Sequence, residues 1–152
     1  MDGEEIANIL IRDSFVQPTF QGVFSSDHLP QLPVKQRPAA FVVNTDPSRR
    51  PGEHWIAIYL PKCGPVEYFD SYGKPPKVAS IRTFLARNGG TIKMNPKTLQ
   101  GPSSSVCGHY CIYYLIHRCR GQSMEAITGR FDVDQQRNDR DVYEYTTHLM
   151  TM

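Results

Sequence analysis

Residues 107–119, CGHYCIYYLIHRC, are the stretch that most constrains how this chain can fold. A polar loop over 95–106, rich in Pro and Ser, comes directly before them. From Cys107 to about Arg118 the pattern predicts a helix that is apolar on nearly every side, and Gly121 ends it. Because a helix without a polar face has to be covered on all sides, we expect this helix to be central, with Cys107 at its N-terminus.

The rest of the chain alternates short strand-like runs with helical ones. Apolar, β-branched or aromatic runs between turn formers predict strands over 39–45, 54–60, 66–70 and, more briefly, 91–94. Helical spacing and capping residues predict helices over 4–12, 76–90, 123–130 and 135–150. Residues 15–38 and 44–53, rich in Pro, Gly, Ser and Asp, predict irregular connections. Helices at both ends of a few strands predict an α+β domain.

Length and composition exclude several classes of protein. The 152 residues suffice for one core, and no linker or internal repeat divides them, so we expect a single domain over 1–152. A net charge of +2 without a basic cluster does not mark a nucleic-acid interface. No stretch approaches the roughly 20 apolar residues that a membrane span needs.

The N-terminal sequence and the cysteines indicate a compartment. MDGEEIANILIRDSF begins acidic and predicts an amphipathic helix, not a signal peptide. Four cysteines, at positions 63, 107, 111 and 119, then indicate free thiols in an intracellular, reducing compartment. We expect Cys63, in the turn between two strands, to be exposed.

The two middle strands predict a hairpin that pairs a histidine with an acid. Centring its turn on Lys62 gives three opposed pairs: Ile58 with Val66, Ile56 with Tyr68, and His54 with Asp70. This register leaves one polar pair at the end of an apolar face, with Cβ atoms about 4.5–5.5 Å apart. Such a carboxylate would fix the imidazole tautomer and stabilise the imidazolium. The structural alternative is a turn in which Asp70 caps a backbone N–H.

Cys107 lies where a helix end could activate it. The positive end of a helix dipole stabilises a thiolate, and a nearby protonated histidine lowers the thiol pKa further. The free N–H groups can receive an oxyanion, Gly108 would let a substrate carbonyl approach, and Gln100 could supply a second donor. The alternative is a buried structural thiol, which is the commoner role of a single cysteine beside an apolar run.

A metal site is the other chemical interpretation of this region. The potential ligands are Cys107, His109, Cys111, His117 and Cys119. Successive residues of a helix are turned by about 100°, so of these five only Cys107 and Cys111 share a helix face. Four ligands therefore do not converge on one metal ion. We therefore predict no metal and expect both histidines to occupy packing or edge positions.

Three segments together resemble the adenovirus endopeptidase (adenain) family, which is related to the proteases that process SUMO. They are GEHW (52–55), YFDSYG (68–73) and LQGPSSSVCGHYC (99–111), and VVNT (42–45) resembles the preceding adenain strand. The shared order is His, acid, Gln, Cys, and the most specific element is QGP with the cysteine seven residues after its Gln. The resemblance covers roughly residues 19 to 120.

The resemblance implies an α+β cysteine-protease domain, with a central mixed sheet packed by helices and the catalytic cysteine at the N-terminus of a buried helix. Carried over by position, Cys107 is the nucleophile, His54 the general base and Asp70 the orienting acid. Gln100 and the Cys107 backbone N–H would form the oxyanion hole. No metal or organic cofactor is implied.

The resemblance also implies substrates and partners. Trp55 and Gly108 would wall a site that cleaves after small residues, especially Gly, in capsid or virion precursors, inside a host cell or virion. Asp70, where adenovirus enzymes usually carry Glu, resembles SUMO proteases and the enzymes of virus-like DNA transposons (Polinton/Maverick). No cysteine between 64 and 106 matches the thiol that binds the adenovirus activating peptide. That mode of activation is therefore not expected, and DNA as an activator lacks support.

Two other functions fit the same motifs. One is a deubiquitinating or deSUMOylating isopeptidase, which would need a surface for a folded modifier. The other is a non-catalytic relic that binds peptides, although the joint presence of His54, Asp70, Gln100 and Cys107 argues against decay.

Overall fold

The computed structural model describes residues 1–46 and 54–152, which form five helices and a five-stranded sheet. The helices are α1 Gly3–Ile11, α2 Ala79–Asn88, α3 Cys107–Cys119, α4 Met124–Thr128 and α5 Gln135–Met150. The strands are β1 Phe20–Ser25, β2 Ala39–Asn44, β3 Trp55–Leu60, β4 Val66–Phe69 and β5 Ile92–Met94. Among these residues no helix is both long and apolar enough to cross a membrane.

The sheet is mixed and follows chain order, β1-β2-β3-β4-β5. The two outer pairs, β1 with β2 and β4 with β5, are parallel. The two inner pairs, β2 with β3 and β3 with β4, are antiparallel. The predicted α+β class with a central mixed sheet packed by helices is thereby confirmed.

The two segments predicted as irregular connections, 15–38 and 44–53, have different outcomes. Strand β1 lies within residues 15–38, where the sequence predicts an irregular connection, so that prediction is wrong there. The strand carries a shift in register between Phe20 and Gly22 and has no alternation of buried and exposed side chains. It is therefore defined by pairing with β2 and not by its own pattern. The predicted loop over 44–53 falls largely on residues 47–53, outside the described residues.

The hairpin register differs by two residues from the predicted one. The observed pairs are Ala57 with Phe69, Ile58 with Tyr68, and Tyr59 with Glu67. The turn is thus centred on Cys63, and the prediction that His54 directly opposes Asp70 is wrong. Because side chains alternate with a period of two, the slip keeps every residue on its predicted face.

Proline chemistry explains the observed register. With the turn centred on Lys62, Pro65 would face Tyr59 inside the ladder, where it has no N–H to donate. In the structure Pro65 precedes β4 and stays in the loop, where Gly64 adopts a φ of +107°. The turn therefore takes five residues, 61–65, between the strands.

Helices cover both faces of the sheet, so β2 is buried at every position. On one face, α1, α3, α4 and α5 form a core around Tyr110, Ile112 and Leu115. On the other face, α2 contributes Ile81, Phe84 and Leu85 to a second core. Helix α3 packs across β3, the middle strand of the sheet. The predicted central helix is thus placed against the middle strand of the sheet.

A buried ion pair ties α3 to β4. Glu67 is 4% exposed and accepts hydrogen bonds from the Tyr114 hydroxyl at 2.5 Å and from the Arg118 guanidinium at 3.0 Å. The guanidinium carbon of Arg118 also lies 4.5 Å from the centre of the Tyr59 ring. A carboxylate buried this deeply depends on its donors, because charge without a partner is costly in a low-dielectric interior.

We expect Arg118→Ala to destabilise the protein by about 3 kcal/mol, because it leaves the Glu67 carboxylate buried without its cation. Urea unfolding followed by circular dichroism measures this change. The matched control, Arg140→Ala on the exposed side of α5, should change stability by no more than about 0.5 kcal/mol. A loss no larger than that of the control would contradict the role assigned to the pair.

Candidate active site

Cys107 is the first residue of α3 and is 6% exposed. Its Sγ accepts a hydrogen bond from the Trp55 backbone N–H at 3.4 Å. The N-cap residue is Val106, whose side chain has no acceptor for the first N–H groups of the helix. No side chain therefore caps these N–H groups, and the Gly108 N–H among them helps to lower the pKa of Cys107.

His54 and Asp70 meet at the ends of adjacent strands. His54 directly precedes β3 and Asp70 directly follows β4, and His54 Nε2 lies 2.8 Å from Asp70 Oδ1. If the observed register is extended, Asp70 lies opposite Ile56. His54 is two residues from Ile56, so its side chain is on the same face of the sheet and diagonal to Asp70. A diagonal pair in a sheet has backbones about 7–8 Å apart, a gap that an imidazole can bridge. The predicted contact therefore forms although the predicted opposition does not.

Asp70 also has the structural role proposed as the alternative. Its Oδ1 accepts from the Tyr72 backbone N–H at 2.8 Å, and its carbonyl accepts from the Gly73 N–H at 2.7 Å. The carboxylate thus organises the turn and holds the histidine at once. The two interpretations of this motif are compatible.

Asn95 holds the main chain of Asp70 and was missed by the sequence reasoning. Its Nδ2 donates to the Asp70 carbonyl at 2.6 Å, and its Oδ1 accepts from the Asp70 N–H at 3.0 Å. Asn95 is 2% exposed and directly follows β5. The parallel pairing of β5 with β4 brings it beside Asp70. A polar residue at the end of a predicted strand was the available signal.

The protonation states of His54 and Cys107 are coupled. Burial lowers the pKa of His54, but its contacts with Asp70 and Cys107 outweigh burial and raise the pKa to about 9. Burial raises the pKa of Cys107, but contacts with His54 and the Trp55 N–H outweigh it and lower the pKa. Because Asp70 occupies Nε2, Nδ1 is the nitrogen of His54 available to the thiol. Both shifts favour a thiolate–imidazolium pair over a neutral thiol and a neutral imidazole.

The pKa values of the two other thiols on α3 are shifted in the opposite direction, upward. Burial raises the pKa of Cys111 well above that of an ordinary thiol, although it lies one helical turn from Cys107. Burial also raises the pKa of Cys119, to about 11. Cys63 is exposed, as expected from its place in the turn. Local environment thus lowers the pKa of one thiol, Cys107, and raises the pKa of Cys111 and Cys119.

Gln100 is buried in the loop that leads to Cys107 and is 1% exposed. Its Oε1 accepts from the Ser71 hydroxyl at 2.5 Å. Its Nε2 donates to the Ser104 carbonyl at 3.1 Å and to the Ser104 hydroxyl at 3.0 Å. The amide is therefore fixed in place, with its N–H groups bonded to Ser104 in this state.

Trp55 and Gly108 differ in their placement. The half-buried Trp55 lines a cavity of about 590 Å³ and donates its indole N–H to the Met1 carbonyl at 3.3 Å. Gly108 is covered: a Cβ there would lie 3.1 Å from Ile6 Cδ1 and 3.3 Å from Trp55 Cδ1. The expectation that Gly108 walls an open approach for a substrate carbonyl is therefore wrong. Its missing side chain lets α1 and Trp55 pack closely on α3.

Helix α5 supports the loop that carries Gln100. The Asp139 carboxylate accepts from the Gly101 N–H at 3.2 Å and from the Tyr110 hydroxyl at 2.7 Å. Asn138 Nδ2 donates to the Leu99 carbonyl at 3.1 Å. These residues lie beyond position 120, where the motif resemblance ends, so sequence reasoning had no basis for including them.

The remaining histidines lie apart from one another. The His109 ring lies 5.5 Å from the Tyr143 ring, and His117 Nδ1 lies 2.7 Å from the Tyr113 carbonyl. Within residues 1–46 and 54–152, no group of three or more His, Cys, Asp or Glu side chains could hold a metal ion.

The chain is similar in sequence to viral cysteine proteases, although no family profile matches it. Cysteine protease S273R of African swine fever virus (isolate Tick/Malawi/Lil 20-1/1983) is 29% identical over 119 residues, which are 71% of this chain and 42% of that protein. In other isolates the matching protein is called SUMO-1 cysteine protease S273R. The protease of bovine adenovirus 2 is 29% identical over 125 residues, which are 74% of this chain and 60% of that protein.

The structure agrees with the sequence comparison. The crystal structure of African swine fever virus pS273R protease superposes with a TM-score of 0.66 at 24% identity, covering 97% of this chain and 66% of that one. The predicted resemblance to adenain-type proteases and the predicted fold are confirmed. The chain spans about half the length of the curated relatives it matches. The narrower likeness to transposon enzymes stays a prediction.

We expect brief treatment with iodoacetamide at mildly acidic pH to alkylate Cys107 selectively, because its thiolate forms below the ordinary thiol range. In His54→Ala the midpoint of the alkylation rate against pH should move upward, since the contacts that lower the Cys107 pKa are lost. Peptide mass mapping measures the modification of each cysteine. His28→Ala, at an exposed histidine, is the matched control and should leave the midpoint unchanged. An unchanged midpoint in His54→Ala would refute the coupling.

Proposed function

We propose that this chain is a cysteine endopeptidase, with Cys107 as nucleophile, His54 as general base and acid, and Asp70 as orienting acid. The observation that carries the proposal is the arrangement of a helix-terminal thiol beside a histidine that Asp70 holds at 2.8 Å. Opposite pKa shifts, upward for His54 and downward for Cys107, support it. The similarity to viral cysteine proteases supports the same reaction class.

Acylation would proceed from the ion pair. The Cys107 thiolate attacks the carbonyl carbon of the peptide bond, and the carbonyl electron pair moves to oxygen. The imidazolium of His54 then gives its Nδ1 proton to the leaving amine as the C–N bond breaks. The products of this step are a thioester on Cys107, a free amine and neutral His54.

Deacylation would use the same groups in reverse. His54 Nδ1 takes a proton from water as the water oxygen attacks the thioester carbonyl. Collapse of the tetrahedral intermediate expels the Cys107 thiolate and releases the carboxylic acid. The protonated His54 re-forms the ion pair. Asp70 keeps the His54 ring in position through both steps.

The oxyanion hole would consist of the Cys107 backbone N–H and the Gln100 side-chain amide. The backbone donor belongs to the first turn of α3, whose N–H groups have no intrahelical partner. The Gln100 amide is bonded to Ser104 in this structure. Use of this donor therefore requires the oxyanion to replace Ser104 as its acceptor.

The proposed substrates are extended protein segments, cleaved after small residues such as Gly in capsid or virion precursors, in the reducing interior of a host cell or in a virion. This choice rests on the viral relatives and the adenain-like motifs. A partner that activates the chain would not use a disulfide in the segment 64–106, which contains no cysteine.

Removal of a ubiquitin-like modifier is the second candidate, favoured by the name SUMO-1 cysteine protease of one relative. A short Gly-ended peptide and a folded SUMO or ubiquitin fusion distinguish the two functions. The endopeptidase proposal expects comparable kcat/KM on both substrates. A preference of several hundredfold for the folded fusion would favour the isopeptidase.

We expect Cys107→Ala to abolish cleavage of a fluorogenic peptide, whereas Cys111→Ala and Cys119→Ala retain it, because burial raises the pKa of both other thiols. Cys63→Ala is the control for an exposed thiol. Equal activity in Cys107→Ala and the unsubstituted protein would refute the proposal. Peptide binding without turnover, unchanged by Cys107→Ala, would identify a non-catalytic relic.

We expect kcat/KM to decrease at alkaline pH with a midpoint near the His54 pKa of about 9, since the attacking pair needs the imidazolium. Asp70→Asn removes a contact that raises this pKa, so the alkaline midpoint should move to lower pH. The measurement is a pH–rate profile of both proteins with the same peptide. An alkaline midpoint that does not move in Asp70→Asn would contradict the role of Asp70.

A further inference from the structure

We propose that Ser71 is a positioning residue that keeps the N–H groups of Gln100 turned toward the reacting carbonyl. The proposal rests on the proposed function and assigns a task to a residue that the triad does not use. Ser71 is 1% exposed, so its hydroxyl is part of the interior.

Ser71 contacts Gln100 through both the main chain and the side chain. The Ser71 hydroxyl donates to Gln100 Oε1 at 2.5 Å. The Ser71 carbonyl accepts from the backbone N–H groups of Leu99 and Gln100 at 2.8 Å and 3.1 Å. The main-chain contacts fix where the residue lies, and the hydroxyl contact fixes how its amide is turned.

The direction of the Gln100 amide follows from what each neighbour can do. The Ser104 carbonyl can only accept, so the amide side that faces it must be the NH₂ group. The oxygen then faces Ser71, whose hydroxyl donates. A half-turn of the amide would bring its oxygen against the Ser104 carbonyl. Ser71 and Ser104 therefore select one of two orientations.

During the proposed reaction the Ser71 contact would continue to select this orientation of the Gln100 amide. Ser104 lies three residues before Cys107, in the loop leading to the nucleophile. When an oxyanion replaces the Ser104 carbonyl as acceptor, that constraint on the amide is lost. The Ser71 hydroxyl still holds Oε1. Without it, a turned amide would present oxygen to the oxyanion and repel the charge.

The position of Ser71 in the chain couples two parts of the site. Asp70 acts on His54, and the next residue, Ser71, acts on Gln100. The ring of Tyr72, one residue further, lies 5.1 Å from the His54 ring. The turn after β4 therefore positions the histidine on one side and the oxyanion donor on the other.

The test is a double-mutant cycle with Ser71→Ala, Gln100→Ala and the double variant on a short Gly-containing peptide. Gln100→Ala should lower kcat by about 100-fold, the usual effect of losing one oxyanion donor. Ser71→Ala should lower kcat at least tenfold, with KM within twofold, because the amide acts only on the transition state. The kcat of the double variant should match that of Gln100→Ala within about twofold. If the kcat losses of the two single variants multiply in the double variant, the proposal is overturned.

Two further measurements separate positioning from general structural support. Alkylation of Cys107 by iodoacetamide forms no oxyanion, so its rate should be the same in Ser71→Ala and the unsubstituted protein. Ser103→Ala, at an exposed serine of the same loop, should leave both kcat and alkylation unchanged. Loss of Cys107 alkylation in Ser71→Ala would show that the serine supports the whole site, which would overturn the proposal.

A peptide aldehyde ending in glycinal keeps this test independent of turnover. Its adduct with Cys107 places an oxygen where the oxyanion would form, so its affinity should weaken at least tenfold in Ser71→Ala and no further in the double variant than in Gln100→Ala. If the aldehyde affinities follow this pattern but no peptide is cleaved, the endopeptidase function is rejected and the role of Ser71 is retained. Unchanged affinity in Ser71→Ala would reject that role.

Discussion

The burial of α3 across β3 is the constraint on which the rest of the structure depends. It fixes the helix end beside the start of the strand, and so places Cys107 against the Trp55 N–H and next to His54. Water is largely excluded from this junction, and electrostatic interactions are stronger there than at an exposed surface. The thiol is activated because the same packing that buries it also supplies its donors and its cation.

A second level of organisation comes from three buried polar side chains that join loops distant in sequence. Asn95 holds the turn after β4, Ser71 holds the Gln100 side chain, and Asp139 holds the loop at Gly101. Each satisfies backbone or side-chain groups that would otherwise be buried without partners. The candidate site is therefore held together by residues that satisfy the polar groups of irregular segments.

The sequence predicted α3, the β3–β4 hairpin and the meeting of His54 with Asp70, because long apolar periodicity and motif spacing are local signals. It placed the centre of the hairpin turn one residue early, which shifts the pairing register by two, since opposed apolar residues look alike in either register and Pro65 distinguishes them. Strand β1 was missed because its pairing partner, and not its own pattern, defines it. The open approach expected at Gly108 was wrong, because the cover comes from Ile6, a hundred residues away in the chain. Contacts of this kind have no signature in a single sequence.

The bond from Gly101 to Asp139 makes α5 necessary for completing the candidate site. The loop that carries Gln100 is held from α5, so it gains its support only after residues near 139 have been synthesised and packed. A nascent chain that already contains all of His54, Asp70, Gln100 and Cys107 still lacks that anchor. A chain still on the ribosome therefore carries an unsupported Gln100 loop until α5 has been synthesised and packed against it.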